Sequence, residues 1–256
     1  MDREIRLQGG FNFRELGGLE NIHGQKIKSK KIIRAAALEQ LTAEDLTFLE
    51  NYGVTEVLDF RTKEEMLNAP DQLIARANYF QLPVFKEDET QSTITPTALF
   101  EKILAGQSGQ LKMEEAYRDF VIEKQARETY AIFFKHLLSD QSVIFHCTAG
   151  KDRTGFAAFL LLSALEVPTQ TIWDDYLLTN ISSDQRVKFL IQEAKNQQVP
   201  DLLVENIYDL LVAKTAYLQT SIDTIAENFG SVNHFLQDGL HLTNADLNDL
   251  KKIYLD

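Results

Sequence analysis

Residues 142–165 read SVIFHCTAGKDRTGFAAFLLLSAL, and the fold turns on how that stretch divides. SVIFHC (142–147) is a short run rich in β-branched and aromatic residues, the pattern of a buried strand. TGFAAFLLLSAL (154–165) is apolar nearly all round, which describes a helix buried against a sheet. It is too short to span a membrane, for which ~18 consecutive apolar residues are needed. The residues between them form a strand-to-helix loop, and the only cysteine of the chain stands at its start. Such a loop aims successive backbone N–H groups and the positive end of the helix at one point, making a concave anion site. Ala149 and Gly150 allow the backbone close to an anion, and Gly155 lets the helix pack tightly on the sheet.

Outward from this unit, short β-like runs alternate with helical ones. KIIRAAAL (31–38) reads as a strand running into a turn. LTAEDLTFLENYG (41–53) follows as a helix, with Thr42 as N-cap, Asp45 three residues on and Gly53 as its stop. VTEVLDFR (54–61) is a second strand, after which Thr62 and Glu65 fit a capping box. ANYFQLPVF (77–85) is a third strand, and SVIFHC makes four. Strands separated by helices predict an α/β fold: a central, mainly parallel sheet flanked by helices. A helical insertion at about 94–138 interrupts this rhythm, and after Pro168 the chain reads as helical to its end, with Asp246 completing a further N-cap signature. Without internal repeats or a low-complexity linker, residues 1–256 read as one domain.

Composition bounds what that domain does. The 256 residues are 44% hydrophobic and 25% charged, with 12 Gly and 5 Pro, as in an ordinary globular protein. A formal charge of -12 argues against a nucleic-acid footprint, so a polyanionic ligand must find a local positive site. The N-terminal MDREIRLQGG carries both signs of charge and no apolar run, so no signal peptide is expected. One cysteine makes no internal disulfide, and a reducing cytoplasm is the default expectation, leaving open export by another route.

The setting of Cys147 gives it a chemistry. A free thiol has a pKa of ~8.5, which falls to roughly 3.5–7.5 at helix N-termini and beside cations, so this position predicts a nucleophilic thiolate. Arg153, six positions on and in the first helical turn, offers a planar guanidinium to grip two oxygens of a tetrahedral oxyanion. Cysteine, five residues and arginine are the minimum machinery for phosphoryl transfer to sulfur, and Thr154 adds a hydroxyl in reach of the thiolate.

HCTAGKDRTG (146–155) resembles the phosphate-binding loop of the cysteine-dependent protein-tyrosine phosphatase superfamily. The form HCxxGKDR resembles a bacterial branch of tyrosine phosphatases, some of which also act on phosphoinositides. NFRELGG (12–18) is similar to the NFRDLGG of that branch, with Glu15 where Asp is usual. RAAALEQLTAEDL (34–46), VLDFRTKEE (57–65) and the ending FGSVNHFLQDGLHLTNADLNDLKKIYL (229–255) agree with it too. The resemblance implies a metal-independent phosphatase without cofactors, with His146, Thr148, Ala149, Gly150, Lys151, Asp152, Arg153 and Thr154 binding the phosphate. It implies phosphorylated protein or phosphoinositide substrates, and an insertion that covers the site as in related enzymes.

The general acid is open between two aspartates at acidic positions of that branch, Asp59 and Asp152, since no WPD-like segment is present. For Asp59 the alternative is a structural partner for Arg61 or Arg153. Lys151 resembles the lysine that meets a second phosphate in phosphoinositide-hydrolysing relatives, against a plain surface cation. His146 is read as shaping the loop, and Arg14 as tying the N-terminal segment to the core. The other histidines lack ligand spacing, so no metal is implied. A Walker-type site fails because Phe145 and Asp152 stand where Gly and Ser or Thr are required. A thiol oxidoreductase lacks a resolving cysteine, and a non-catalytic phosphate-binding module would typically have lost Cys147 or Arg153.

Overall fold

A computed structural model describes residues 3–90 and 108–256. The strands are β1 (Arg14–Glu15), β2 (Ile32–Ala35), β3 (Glu56–Asp59), β4 (Asn78–Gln81) and β5 (Val143–His146), forming a sheet in the order β1-β2-β5-β3-β4. β2, β5, β3 and β4 pair in parallel, and β1 runs antiparallel at the edge beside β2. The α/β architecture read from the sequence is therefore the one observed, with the runs shortened at both ends. β5 lies at the centre, with Phe145 level with Arg34 of β2 and Leu58 of β3.

Because β2, β3 and β5 are buried on both faces, their alternate residues enter separate apolar clusters. Ile33, Val57 and Ile144 face α1 (Ala43–Tyr52) through Leu49, while Ile32, Leu58, Val143 and Phe145 face the larger cluster. α1 starts at the expected capping box, where Thr42 accepts from the Asp45 amide, and stops at Gly53. α2 (Lys63–Asn68) follows β3 behind the Thr62–Glu65 capping box.

The expected insertion at 94–138 lies outside the described residues as far as 107. Beyond that it is helical: α3 (Gly109–Ile122) and α4 (Lys124–Leu137), both packed into the larger cluster. Phe120 of α3 stacks between Phe85, beyond β4, and Phe156 of α5 (Arg153–Ala164), at 5.3 Å from each ring centre. The insertion is thus fastened to the sheet by offset aromatic contact as well as by area. α5 is buried along nearly its whole length, as its all-round apolarity requires.

The helical C-terminal part comprises α6 (Thr169–Ser182), α7 (Asp184–Asn196), α8 (Asp201–Leu211), α9 (Thr215–Phe229), a single helical turn at Val232–His234 running into a π-helical turn at Phe235–Gly239, and α10 (Asn244–Tyr254). Its end returns to the N-terminal segment, where Lys28 N–H donates to the Tyr254 carbonyl at 2.7 Å. Among the described residues no helix is long and apolar enough to cross a membrane.

Asp175 of α6 anchors the N-terminal strands. Its carboxylate meets Arg3 at 2.8 Å, Arg14 at 3.2 Å and Arg34 at 2.7 Å, and Arg14 and Arg34 are fully buried. The role read for Arg14 is the one observed. Burial and the neighbouring Arg34 hold the Arg14 guanidinium down to about 9, against the pull of Asp175. Replacing Asp175 by Asn leaves these cations without their counter-charge, so D175N is expected to cost about 3–5 kcal/mol, read as a lowered urea midpoint.

Candidate active site

The signature loop is built by what stands behind it. β5 ends at His146, whose carbonyl accepts from the Phe60 amide at 2.9 Å. The next carbonyls turn away from the loop's concave side: Thr148 to the Ala37 amide (3.2 Å), Ala149 to the Asn12 side-chain amide (2.8 Å), Gly150 to Arg34 Nη2 (2.9 Å). In a trans peptide plane the C=O and the following N–H point in opposite directions. Drawing three carbonyls back therefore turns the amides of Ala149, Gly150 and Lys151 forward, which is the geometry an anion needs. Gly150 has φ of 67°, and a Cβ there would stand 2.5 Å from the Ala35 carbonyl oxygen, so only glycine fits.

Cys147 and Arg153 flank this loop and are both buried. Arg153 forms a two-pronged ion pair with Glu65 of α2, Nη1 to Oε2 at 2.6 Å and Nη2 to Oε1 at 2.8 Å. Glu65 also accepts from the Thr148 hydroxyl and, at 2.8 Å, from the Thr62 amide of its capping box. Burial alone would raise the Glu65 pKa; Arg153 and these donors outweigh it and lower the pKa to about 2. Asp88, on the segment after β4, stands 3.9 Å from Arg153 Nη2, and the Arg153 carbonyl accepts from Tyr130 at 3.1 Å. The guanidinium is held charged by Glu65, Cys147 and Asp88 despite its burial.

Asp59 and Asp152 occupy different places. Asp59, at the end of β3, is wholly buried and engages both oxygens: Arg61 Nε at 3.1 and 3.0 Å, Arg61 Nη2 at 2.8 Å and Tyr79 O–H at 2.5 Å. Asp152, within the loop, receives the Tyr117 O–H at 2.9 Å and Lys151 Nζ at 3.0 Å, both on Oδ1. Lys151 also donates to the Val212 carbonyl at 3.2 Å and lies 5.9 Å from the Tyr217 ring, so its ammonium is buried in the helical part. Thr154 is buried, and its hydroxyl has no hydrogen-bond partner among the described residues.

His146 lies beneath the loop. Nε2 pairs with Asp71 at 3.1 Å and stands 3.9 Å from Asp59, while Nδ1 is 3.2 Å from the Cys147 carbonyl. The ring links the Cys147 backbone to a carboxylate pair, consistent with the loop-shaping role read for it. Asp59, Asp71 and His146 have the spacing of a metal-ligand set, but Arg61 already bridges the two carboxylates, at 2.8 and 2.9 Å. A cation of fixed charge in that place makes the cluster a salt-bridge network.

Glu65, Asp71, Arg34 and Asn12 complete the site and went unassigned from the sequence. Glu65 is visible in the sequence as the third residue of a capping box and as the end of VLDFRTKEE, and neither signal names a second partner. Asp71, Arg34 and Asn12 lie in loops or strands whose pairing is fixed only by the tertiary fold.

Burial pushes the His146 pKa down, but Asp59 and Asp71 outweigh it and raise it to about 9 from a usual 6.5. A raised folded-state pKa stabilises fully below the unfolded value and loses that contribution as pH rises through the folded one. The part of stability owed to His146 should therefore fade between about pH 6.5 and pH 9. Urea midpoints of the wild type measured across that window, compared with those of H146Q, should converge at the alkaline end.

A profile of the tyrosine phosphatase family matches residues 5–256. A Cupriavidus necator protein provisionally named a tyrosine-protein phosphatase is 31% identical over 238 residues, covering 92% of this chain and 84% of its own. The triple specificity protein phosphatase PtpB of Mycobacterium tuberculosis is 25% identical over 277 residues, covering 97% and 98%. The crystal structure of Pseudomonas aeruginosa TpbA overlaps 72% of this chain and 88% of its own with a TM-score of 0.31 at 14% identity.

Proposed function

The chain belongs to the tyrosine phosphatase family, and on that premise we propose that it hydrolyses phosphotyrosine in proteins through a phosphocysteine intermediate on Cys147. The observation that carries this reading is the loop between β5 and α5, with three carbonyls drawn back, Cys147 at its start and the Glu65-braced Arg153 at its end. The forward amides and the guanidinium bind the equatorial phosphoryl oxygens, and the Cys147 thiolate attacks phosphorus in line. Glu65 fixes the guanidinium plane before substrate arrives, so little reorganisation accompanies the transition state. His146, Thr148, Ala149, Gly150, Lys151 and Thr154 form the rest of the binding loop.

Between the two aspartates, the contacts favour Asp152 as the general acid. Both Asp59 oxygens are taken by Arg61 and Tyr79 in the floor of the site, which supports its role as a partner for Arg61. The partners of Asp152 converge on Oδ1, leaving Oδ2 to carry a transferable proton. The entry of α3 and α4 into the same apolar cluster as β5 and α5 supports a single domain in which the insertion is part of the site.

Phosphoserine, phosphothreonine and phosphoinositides are the further substrate classes proposed, since the loop recognises the phosphoryl group itself and PtpB, the M. tuberculosis relative, is named for triple specificity. Hydrolysis of an aryl phosphate should proceed in excess chelator, and C147S should abolish it; turnover that depends on added metal, or full activity in C147S, would sink the proposal. R153K should lower kcat/KM by about 10²–10³-fold, because an ammonium cannot reproduce the two-pronged grip. Because the Lys151 ammonium is bonded inside the protein, K151A should reduce turnover of every substrate class together. A loss confined to phosphoinositides would instead assign that amine to a second phosphate.

A further inference from the structure

Asp152 precedes the first residue of α5, the place where an aspartate usually caps the exposed amides of its own helix. Here it makes no cap bond; its side chain turns away to Tyr117 of α3 instead. Tyr117 is fully buried, and its phenol oxygen lies 2.9 Å from Asp152 Oδ1 and 2.8 Å from the phenol oxygen of Tyr176 on α6. The one proton of the Tyr176 hydroxyl has a second acceptor in the Lys214 carbonyl, but at 3.4 Å against 2.8 Å to Tyr117. Burial and the facing Asp152 raise the Tyr117 pKa well above its ordinary value, so it is a permanent O–H donor at any working pH.

A phenol has one proton, and the direction in which it points decides which carboxyl oxygen can be protonated. If Tyr117 donates to Asp152, Oδ1 is an acceptor, and the Lys151 ammonium at 3.0 Å makes it an acceptor twice over. The acidic proton of Asp152 is then confined to Oδ2. Were Tyr117 to donate to Tyr176 instead, Asp152 could place its proton on Oδ1, turned into the protein and useless to a leaving group. Tyr176 prevents this when it donates to Tyr117 and leaves that phenol only Asp152 to serve.

We propose that Tyr117, backed by Tyr176, is a positioning residue for proton transfer, holding Oδ1 of Asp152 as acceptor so that the transferable proton resides on Oδ2. The inference rests on the reading of Asp152 as the general acid. In the first step the Cys147 Sγ–P bond forms and the ester P–O bond breaks. Its electron pair leaves on oxygen, and the Oδ2 proton passes to that oxygen. In the second, water forms a new O–P bond, the S–P pair returns to sulfur, and a water proton returns to Oδ2. Asp152 ends each turnover as it began.

The test uses two aryl phosphates, phenyl phosphate, whose leaving oxygen needs a proton, and 2,4-dinitrophenyl phosphate, whose leaving oxygen does not. D152N should lose ~10²-fold or more in kcat/KM, which reports phosphoryl transfer to sulfur and not the hydrolysis step both substrates share, on the first and far less on the second. Y117F should lose roughly tenfold in kcat/KM on phenyl phosphate, the worth of one hydrogen bond to the carboxylate that forms as the proton leaves, with kcat/KM on the dinitrophenyl ester within about twofold of wild type. If D152N shows that contrast but Y117F slows both substrates equally or neither, the inference is overturned and the acid stands. If D152N itself slows both equally, the reading of Asp152 as acid fails and takes the inference with it. Should Y117F not fold, Y176F takes its place and is expected to give the same contrast at smaller size; an equal loss on both substrates overturns the inference.

Discussion

Three successive carbonyls facing backward are the constraint on which the rest of the site depends. A loop of small residues has no intrinsic reason to turn its amides one way. It does so here because Ala37, Asn12 and Arg34 supply donors on the far side. Each of those donors is itself held: Ala37 by its place just after β2, Asn12 by Arg14, and Arg34 by Asp175. The forward-facing amides are therefore an outcome of how the N-terminal segment, β2 and α6 assemble, and the loop sequence alone would not make them.

The same dependence explains a charge distribution that looks wasteful. An acidic protein buries Arg14, Arg34, Arg61 and Arg153, each against at least one carboxylate. Burying such pairs stabilises little, because desolvation offsets most of the attraction. Their effect is geometric. Arg34 spends one nitrogen on Asp175 and another on the Gly150 carbonyl, and Arg153 is splayed by both oxygens of Glu65. A guanidinium whose fork is already engaged on one edge has its plane fixed, and so can meet a phosphate without losing further freedom.

How much of this was legible in the sequence follows from the range of the interactions. The strand, loop and helix around Cys147 obey local periodicity, and so do the capping boxes at Thr42, Thr62 and Thr243, all of which formed with their third residues as expected. The resemblance of NFRELGG to a family segment marked Asn12 and Arg14 without saying what they touch. Asn12 reaches across 137 positions to Ala149, and Arg14 across 161 to Asp175. Glu65 was read correctly as a cap and incompletely as a residue, because its second partner, Arg153, lies 88 positions away. Lys151 was expected at a substrate phosphate or in solvent; it is buried against Val212, a contact that only the fold of the helical C-terminal part creates.

The insertion shows why such long-range contacts matter for chemistry. As a pattern, α3 is an amphipathic helix with Tyr117 on its apolar face, and an aromatic at such a position reads simply as core. In the fold that face meets the one loop carboxylate that does not cap its own helix. The ring of Tyr117 belongs to the aromatic cluster with Phe120, Tyr176 and Tyr217, and its hydroxyl reaches Asp152. The apolar packing that fastens α3 to the sheet through Phe85 and Phe156 thereby sets the position of the hydroxyl that meets Asp152. Packing in the insertion and the position of the Asp152 carboxylate are the same degree of freedom, so a change that shifts α3 along α5 moves the general acid proposed above without touching the loop.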